Sequence, residues 1–295
     1  MTQLAWWPGP GVPPGPVHAR VASAAIVDHE RWVVHPGHRL DLGSVDPSST
    51  PGAPGDRATT EAALSALIAQ LAALQDRLWA EARRSLLVVL QAIDAGGKDG
   101  TIKHVFRGVN PQGTRVASFK VPTPEEQAHD FLWRVHRQAP AAGEIAIFNR
   151  SHYEDVLVTR VHGTIGAEEW QRRYAIIRDF EAALVAEGTT IVKLMLHISR
   201  DEQWSRLLER VDRPDKRWKM QPSDFAERRH WDDYQRAYED AITATSTKEA
   251  PWRVVPANHK WYRDWAVSTI LVGVLDEMGP RYPEPGDIGD FRAHQ

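Results

Sequence analysis

Apolar and polar positions along the chain fall into two alternating kinds of segment. Short apolar runs, which are typical of buried strands, predict strands at 86–93, 115–120, 144–149, 189–197 and 252–255. Helical spacing of apolar side chains predicts helices at 59–84, 98–107, 124–138, 168–187, 200–211, 223–245 and 260–278. Because strands and amphipathic helices alternate, we expect right-handed crossovers and a mostly parallel sheet covered on both faces, which is a three-layer α/β/α fold.

The two ends of the chain lack this periodicity. Residues 1–55 are rich in Pro, Gly and Ser, and the run WWPGPGVPPGPV (Trp6–Val17) sustains neither a helix nor a central strand. We predict an irregular N-terminal arm over 1–55, which is either docked through Trp6 and Trp7 or disordered. The predicted main domain covers 56–285, and a short tail covers 286–295.

Composition narrows the classes of function. The 295 residues include no cysteine, which excludes disulfides, thiolate metal sites and cysteine nucleophiles. No apolar run reaches the ~18 residues that cross a bilayer, and no signal-peptide order opens the chain, so we expect a soluble cytoplasmic protein without a membrane partner. The net charge of −3 argues against general attraction to nucleic acid. A polyanionic ligand would therefore be held by local basic clusters.

A glycine-rich loop follows the strand predicted at 86–93. Its sequence is AIDAGGKDGT, and its glycines are Gly96, Gly97 and Gly100. Such glycines adopt positive φ and let backbone N–H groups approach an anion, while the following helix directs its positive end to the same point. Phosphate binding is the leading interpretation, and a glycine-rich turn with a solvated lysine is the alternative.

The loop departs from the P-loop pattern GxxxxGK[ST] at two positions. Its glycine–lysine pair fits, but Ala92 replaces the first glycine and Asp99 stands where Ser or Thr normally binds Mg²⁺. Asp94 and Thr101 are candidates for the missing oxygen ligand, because Mg²⁺ needs only one or two protein oxygens beside water and phosphate.

Polar and aromatic side chains follow the strand predicted at 144–149, which ends in NRSHYED. The carboxyl end of a parallel strand is where α/β enzymes build their sites. The planar guanidinium of Arg150 suits phosphoryl oxygens, and Glu154 or Asp155 suits metal-bound water or an acceptor nucleotide. A structural alternative is that Ser151 caps the next helix. A serine hydrolase is excluded, because adjacent residues do not converge on one centre and no GxSxG elbow is present.

Two clusters of basic residues lie close to these segments in the sequence. The first contains Lys98, Lys103, Arg107, Arg115 and Lys120. The second contains Arg206, Arg210, Arg213, Lys216, Arg217 and Lys219. Prolines at 214 and 222 interrupt helix formation around the second cluster, which predicts a hinged basic lid that closes over a substrate, with Trp218 as a candidate for base stacking. A solvated basic surface is the alternative.

These segments together resemble the polyphosphate kinase 2 family over about residues 58–285. The motifs that carry the resemblance are VVLQAIDAGGKDGTIKHVF (Val88–Phe106), GVNPQG (Gly108–Gly113), IFNRSHYEDVLVTRV (Ile147–Val161), LHISRDEQ (Leu196–Gln203), RVDRPDKRWKMQPSDFAERRHWDDY (Arg210–Tyr234) and APWRVVPANHKWYRDWAVS (Ala250–Ser268). The form FNRSHYEDV most resembles the class III subgroup, which phosphorylates nucleoside monophosphates and diphosphates from polyphosphate. The resemblance implies a P-loop kinase-like core, a helical lid over about 208–234, and a homodimer or homotetramer.

The resemblance also implies roles for individual residues. Catalytic roles are expected for Asp94, Lys98, Arg150, Glu154 and Arg210. Contacts to phosphate are expected from Gly96, Gly97, Asp99, Gly100, Thr101, Lys103, Arg107, Arg160, Lys216 and Lys219. Nucleotide contacts are expected from Asn149, Arg150, Glu154 and Trp218, and metal ligation from Asp94 and Glu154. Many relatives carry aspartate in place of Asn149, so Glu154 is the carboxylate expected to act on AMP.

The activity that the resemblance implies is direct transfer of the terminal phosphoryl group of inorganic polyphosphate to ADP, giving ATP, and to AMP. Mg²⁺ is the expected metal, Mn²⁺ is a second candidate, and guanine nucleotides are further candidate acceptors. An ATP-dependent nucleoside monophosphate kinase is an alternative that differs in its donor. A non-catalytic polyphosphate- or nucleotide-binding module is another. No recognition helix or aromatic RNA-binding signature favours nucleic acid.

Overall fold

A mostly parallel sheet forms the centre of the protein in a computed structural model, which describes residues 28–219 and 222–284. Its strands are β1 (Val33–Val34), β2 (Ser85–Gln91), β3 (Thr114–Ser118), β4 (Ile145–Asn149), β5 (Thr189–His197) and β6 (Trp252–Pro256). Their order is β1-β6-β5-β2-β4-β3, and of the described strands only β1 is antiparallel to its neighbour. The predicted fold class is confirmed.

Helices cover both faces of this sheet. They are α1 (Arg57–Glu81), α2 (Lys98–Val105), α3 (Pro124–Gln127), α4 (Trp133–His136), α5 (Val158–Val161), α6 (Ala167–Ala186), α7 (Arg200–Asp212), α8 (Pro222–Glu227), α9 (Trp231–Thr245) and α10 (Lys260–Met278). On one face α1 and α10 pack on the sheet through side chains such as Leu71 and Ile270. On the other face α6 and α9 bury Ile177 and Tyr238. No described helix has the length and apolar character needed to span a membrane.

Two segments that were each predicted as one continuous helix are divided in the structure. In place of one helix over 124–138 the structure has α3 and α4, because the side chain of Asp130 accepts a hydrogen bond from the N–H of Leu132 at 3.0 Å and forms a local turn. The helix predicted over 223–245 is divided into α8 and α9 by a 3₁₀ turn at Arg228–His230. Both breaks depend on local hydrogen bonding that apolar spacing does not reveal.

The described part of the predicted N-terminal arm packs on the sheet. Trp32 is buried, and its indole N–H donates to the hydroxyl of Tyr262 at 3.0 Å. Strand β1 pairs with β6, although two residues are too short for a periodic pattern to predict. Trp6 and Trp7 and the tail at 286–295 lie outside the described residues, and the domain division at residue 55 remains a prediction.

Candidate active site

The glycine-rich loop connects the central strand β2 to α2 and lies at the carboxyl edge of the sheet. Gly97 has a φ of +107°, and Ala95 has a φ of +62°, so the chain turns through two left-handed residues before α2 begins at Lys98. The first backbone N–H groups of α2 have no acceptor within the helix and are available to an anion. The Lys98 ammonium donates to the carbonyl oxygen of Ala92 at 2.7 Å and closes the loop.

Arg150 joins the two motifs that the sequence predicts as a site. Strands β2 and β4 are neighbours, with Leu90 opposite Asn149, so their carboxyl ends meet. The Arg150 guanidinium donates to Asp94 Oδ1 at 2.8 Å and to Glu154 Oε2 at 3.2 Å. Its backbone is left-handed, with a φ of +63°, which is uncommon for a residue with a side chain and costs on the order of 1 kcal/mol. Strained backbone is typical of functional sites.

Burial and neighbouring charges shift the pKa values of the side chains in this cluster. Burial, together with the nearby Arg150, lowers the pKa of Lys98 to about 8. Burial also raises the pKa of Glu154, although the Arg150 and Lys98 charges oppose that change. Burial disfavours the guanidinium charge of Arg150, but Glu154 and Asp94 outweigh it and raise its pKa. The cluster therefore holds a permanent positive charge between two carboxylates and a lysine that titrates close to neutral pH.

A cavity of about 930 Å³ opens above the loop. It is lined by most of the predicted site residues: Asp94, Gly96, Gly97, Lys98, Asp99, Gly100, Lys103, Asn149, Arg150, Arg210, Lys216 and Trp218. Ten of its lining side chains are Lys or Arg, and three are Asp or Glu. Such an excess of positive charge in a concave site attracts and concentrates polyanions. Asn149 and Asp99 are joined by a hydrogen bond of 2.9 Å at its edge.

Glu209 holds together the basic residues on the lid side of the cavity. Its carboxylate accepts hydrogen bonds from the ammonium groups of Lys216 at 2.8 Å and Lys260 at 3.1 Å, and it lies 3.5 Å from the guanidinium of Arg213. The hydrogen bonds from Lys216 and Lys260 lower the pKa of Glu209 to about 2. The carboxylate therefore stays charged and keeps cations from α7, the lid and α10 together.

Three predicted phosphate ligands do not line the cavity in the described structure. Arg107 is exposed and lies outside it. Arg160 donates to Asp240 at 2.7 Å and lies over the ring of Trp170, so it stabilises the packing of α5. Thr101 is buried beneath the loop. Phosphate contacts from Arg107, Arg160 and Thr101 therefore remain predictions from the sequence, and the side chain of a further predicted ligand, Lys219, lies outside the described residues.

Glu154 lies on the far side of the Arg150 guanidinium from the main cavity. It lines a separate pocket of about 30 Å³, together with Tyr234 and Tyr238. This volume holds about two water molecules and no nucleotide. A direct nucleotide contact by Glu154 remains a prediction from the sequence, and in this structure its carboxylate is linked to the cavity through Arg150.

Sequence reasoning assigned no site role to two buried arginines beside the loop, although Arg206 belongs to the second basic cluster and Arg263 to the Ala250–Ser268 motif. Arg206 on α7 donates to the carbonyl oxygens of Ala95 and Gly96, both at 3.1 Å. Arg263 on α10 lies against Gly97. A signal for Arg263 was present, because a basic and acidic first turn, KWYRD, precedes an otherwise apolar helix.

The donor set fits a metal that is shared with phosphate. Within the described residues no group of three or more His, Asp or Glu side chains converges on one point. Asp94 lines the cavity, and Arg150 engages only its Oδ1 oxygen among the described residues. A single carboxylate, completed by water and phosphate oxygens, is an arrangement that suits Mg²⁺ in phosphoryl-transfer sites.

Comparison with known proteins identifies what this fold and site resemble. The sequence profile of the polyphosphate kinase 2 family matches residues 55–283. The chain is 55% identical over 256 residues to an AMP/ADP-polyphosphate phosphotransferase from Meiothermus ruber, covering 87% of this chain and 96% of that protein. It is 44% identical over 229 residues to an ADP-polyphosphate phosphotransferase from Rhodopseudomonas palustris, covering 74% and 79%. The crystal structure of polyphosphate kinase 2 from Arthrobacter aurescens TC1 superposes with a TM-score of 0.86 at 48% identity, covering 93% of this chain and 98% of that one.

Proposed function

Because the chain belongs to the polyphosphate kinase 2 family, we propose that its cavity binds inorganic polyphosphate and transfers the terminal phosphoryl group to ADP and AMP. The protein is a phosphotransferase of the class to which its named relatives belong. The observation that carries the proposal is the ion pair of Asp94 and Arg150, with Lys98 beside it, in the wall of a cationic cavity of about 930 Å³; Glu154 pairs with Arg150 from outside that cavity.

The main contribution of the protein to this reaction is to neutralise the negative charges of donor and acceptor. Donor and acceptor are both polyanions, so they repel each other unless cations surround them. Lys98 and Arg150 line the loop side of the cavity, where they would contact the transferred group, and Arg210 lines the same cavity from α7. Phosphoryl transfer needs positioning and electrostatic stabilisation more than covalent chemistry, so direct in-line transfer without a covalent enzyme intermediate fits these side chains.

Kinases of this family are metal-dependent, and we assign the metal as Mg²⁺, with Mn²⁺ as a substitute. Asp94 would hold the ion, because its carboxylate lines the cavity and retains an oxygen that no described residue engages. Glu154, which the sequence also predicts as a metal ligand, would act on the site through Arg150. When bound, Mg²⁺ neutralises charge on the phosphate oxygens.

Acceptance of AMP is the finer part of the proposal. The relative from Meiothermus ruber is named for both AMP and ADP, and it shares 55% identity with this chain. ATP is the product expected from ADP, and guanine nucleotides are further candidate acceptors. Trp218 is 76% exposed at the cavity wall and offers a ring on which a base can stack. The homo-oligomeric state and the cytoplasmic location remain predictions from the sequence.

The test compares donors, metals and an Asp94→Asn variant. We expect nucleotide formation that requires polyphosphate and Mg²⁺, while ATP with AMP and no polyphosphate gives none. Asp94→Asn is expected to retain polyphosphate binding and lose turnover, because the substitution removes a metal-binding charge and keeps the shape of the side chain. Turnover with ATP as the only effective donor would indicate a nucleoside monophosphate kinase. Binding without turnover in the unaltered protein would indicate a binding module.

A further inference from the structure

Arg263 is a buried arginine with unused hydrogen-bond donors at the wall of the main cavity. It lies in the first turn of α10 and is 2% exposed. Its Nε and Nη2 groups both donate to Asp264 Oδ1, at 2.9 and 2.6 Å. Among the described residues none accepts a hydrogen bond from Nη1. Because Arg263 lines the cavity, its Nη1 is a charged donor that an anion bound in the cavity can engage.

The Nη1 group of Arg263 lies against the glycine-rich loop. A Cβ atom added to Gly97 would lie 2.1 Å from Arg263 Nη1, and one added to Gly100 would lie 3.3 Å from Nη2. The guanidinium therefore occupies the space that side chains at these two positions would fill. It reaches the start of α2, where the free N–H groups of the helix point.

The neighbouring Arg206 has a different role. Its Nη1 donates to the carbonyl oxygens of Ala95 and Gly96, and its Nε donates to Glu202 at 2.7 Å. Its Nη2 donates to the carbonyl oxygens of Ala257 and Asn258. All five N–H groups of Arg206 thus have protein acceptors, and the side chain fixes the shape of the loop. Arg263 differs because its orientation is fixed through Asp264 while Nη1 is kept for a ligand.

The carboxylate of Asp264, which orients Arg263, also contacts a residue that lines the cavity. Asp264 Oδ2 lies 3.2 Å from Nδ1 of His104, which lines the cavity. Both carboxylate oxygens are therefore engaged, one by the guanidinium and one by the imidazole. This fixes the guanidinium plane beside Gly97 before any ligand arrives, and preorganisation of this kind strengthens binding.

We propose that Arg263 is a phosphate-binding residue whose Nη1 donates to an oxygen of the polyphosphate group held by the loop. The inference rests on the proposed function, because it takes polyphosphate as the ligand of the cavity. It adds a contact from α10, within the segment Ala250–Ser268, to which the sequence assigned no phosphate contact. The bound phosphate group would then be held from two sides, by α2 with Lys98 and by α10.

The test is calorimetric titration of the full chain with tripolyphosphate. Arg263→Gln removes the charge and keeps hydrogen-bonding capacity, and we expect the dissociation constant to rise about 10- to 100-fold, the loss typical of a charge-assisted hydrogen bond. Arg263→Lys keeps the charge, but one ammonium cannot contact Asp264 and the loop anion at once, so a smaller loss is expected. Arg253→Gln is the matched control, because Arg253 is also a buried arginine, 4% exposed, and pairs with Glu30 outside the cavity.

Each outcome separates this inference from the proposed function. If the unaltered protein binds no tripolyphosphate, the proposed function itself fails. If it binds and Arg263→Gln binds equally well, Arg263 is not a ligand and the inference is overturned while the function stands. If Arg263→Gln does not fold, Arg263→Lys decides, and an unchanged dissociation constant in that variant overturns the inference. Equal losses in Arg263→Gln and Arg253→Gln would indicate a general effect of removing buried charge and would also overturn it.

Discussion

Replacing Arg150 by glutamine should remove most of the phosphoryl-transfer rate and leave the fold intact. The guanidinium lies between Asp94 at 2.8 Å and Glu154 at 3.2 Å, and it is the positive charge that separates these carboxylates from incoming phosphates. Two unit charges about 4 Å apart interact by ~4 kcal/mol at an effective dielectric constant of ~20. That energy corresponds to roughly 10³-fold in rate, which matches the loss when an arginine that stabilises a transferring phosphoryl group is removed.

The effect on stability should be much smaller than the effect on rate. Arg150 is 39% exposed, and ion pairs at that exposure contribute ~1 kcal/mol or less to folding. The left-handed backbone strain is unchanged, because glutamine meets the same steric limit as arginine. We therefore expect the melting temperature to fall by about 2–4 °C.

The assay is the initial rate of ATP formation from ADP and polyphosphate at saturating substrate, with thermal unfolding measured on the same samples. Arg160→Gln is the matched control, because Arg160 pairs with Asp240 and lies over Trp170 outside the cavity. Its rate should stay close to that of the unaltered protein. The reasoning is refuted if Arg150→Gln keeps a comparable rate, or if both variants lose activity to the same extent.

Three further predictions follow from other contacts. Gly97→Ala should lower kcat/KM for polyphosphate by about 10²-fold, because its Cβ would lie 2.1 Å from Arg263 Nη1 and displace the loop. In the unaltered protein kcat/KM should decline as pH rises through about 8, because Lys98 loses the charge that binds phosphate. Glu181→Gln should cost about 3–5 kcal/mol in the free energy of unfolding, because Lys193, fully buried and 2.6 Å from Glu181, loses its counter-charge.

Matched variants give each of these predictions a control. Gly163 also has a positive φ, +63°, and no atom lies within 4 Å of a Cβ added there, so Gly163→Ala tests the effect of a side chain at positive φ without the clash. Equal losses at Gly97 and Gly163 would contradict the clash. Lys98→Arg should remove the decline near pH 8, and a profile that keeps it would assign the titration to another group. The double variant Glu181→Leu/Lys193→Met removes both buried charges and should recover most of the lost stability; failure to recover would mean that packing, not charge, is the cause.

The glycine-rich loop and its position close to Arg150 could be predicted from the sequence, because both depend on local patterns. The apolar run and glycines place Asp94 and Lys98 beyond the end of a strand. The segment NRSHYED, which contains Arg150, follows another predicted strand, and adjacent parallel strands end at the same edge of a sheet. The structure places β4 beside β2, and a hydrogen bond of 2.8 Å joins Asp94 to Arg150, 56 positions away.

The arginines beneath the loop could not be predicted in the same way, because their burial depends on contacts between distant elements. Arg206 lies on an amphipathic helix, where local patterns favour solvent, yet it donates to the Ala95 carbonyl oxygen 111 positions away. Arg160 shows the same dependence on distant contacts. It belongs to the same motif as Arg150, but its guanidinium turns to Asp240 and the ring of Trp170. Side-chain direction in both cases is decided by packing partners that the local sequence does not contain.

We propose that this chain transfers phosphoryl groups directly from polyphosphate to nucleotides. A time course with AMP as the acceptor tests this activity most directly. Purified protein is incubated with AMP, Mg²⁺ and long-chain polyphosphate, and ADP and ATP are followed by chromatography, with a reaction that lacks polyphosphate as the control. ADP should appear first, ATP should follow at its expense, and neither should form in the control. Formation of ATP from ADP but no product from AMP would contradict the assignment of AMP as an acceptor, and no product from either nucleotide would contradict the central claim.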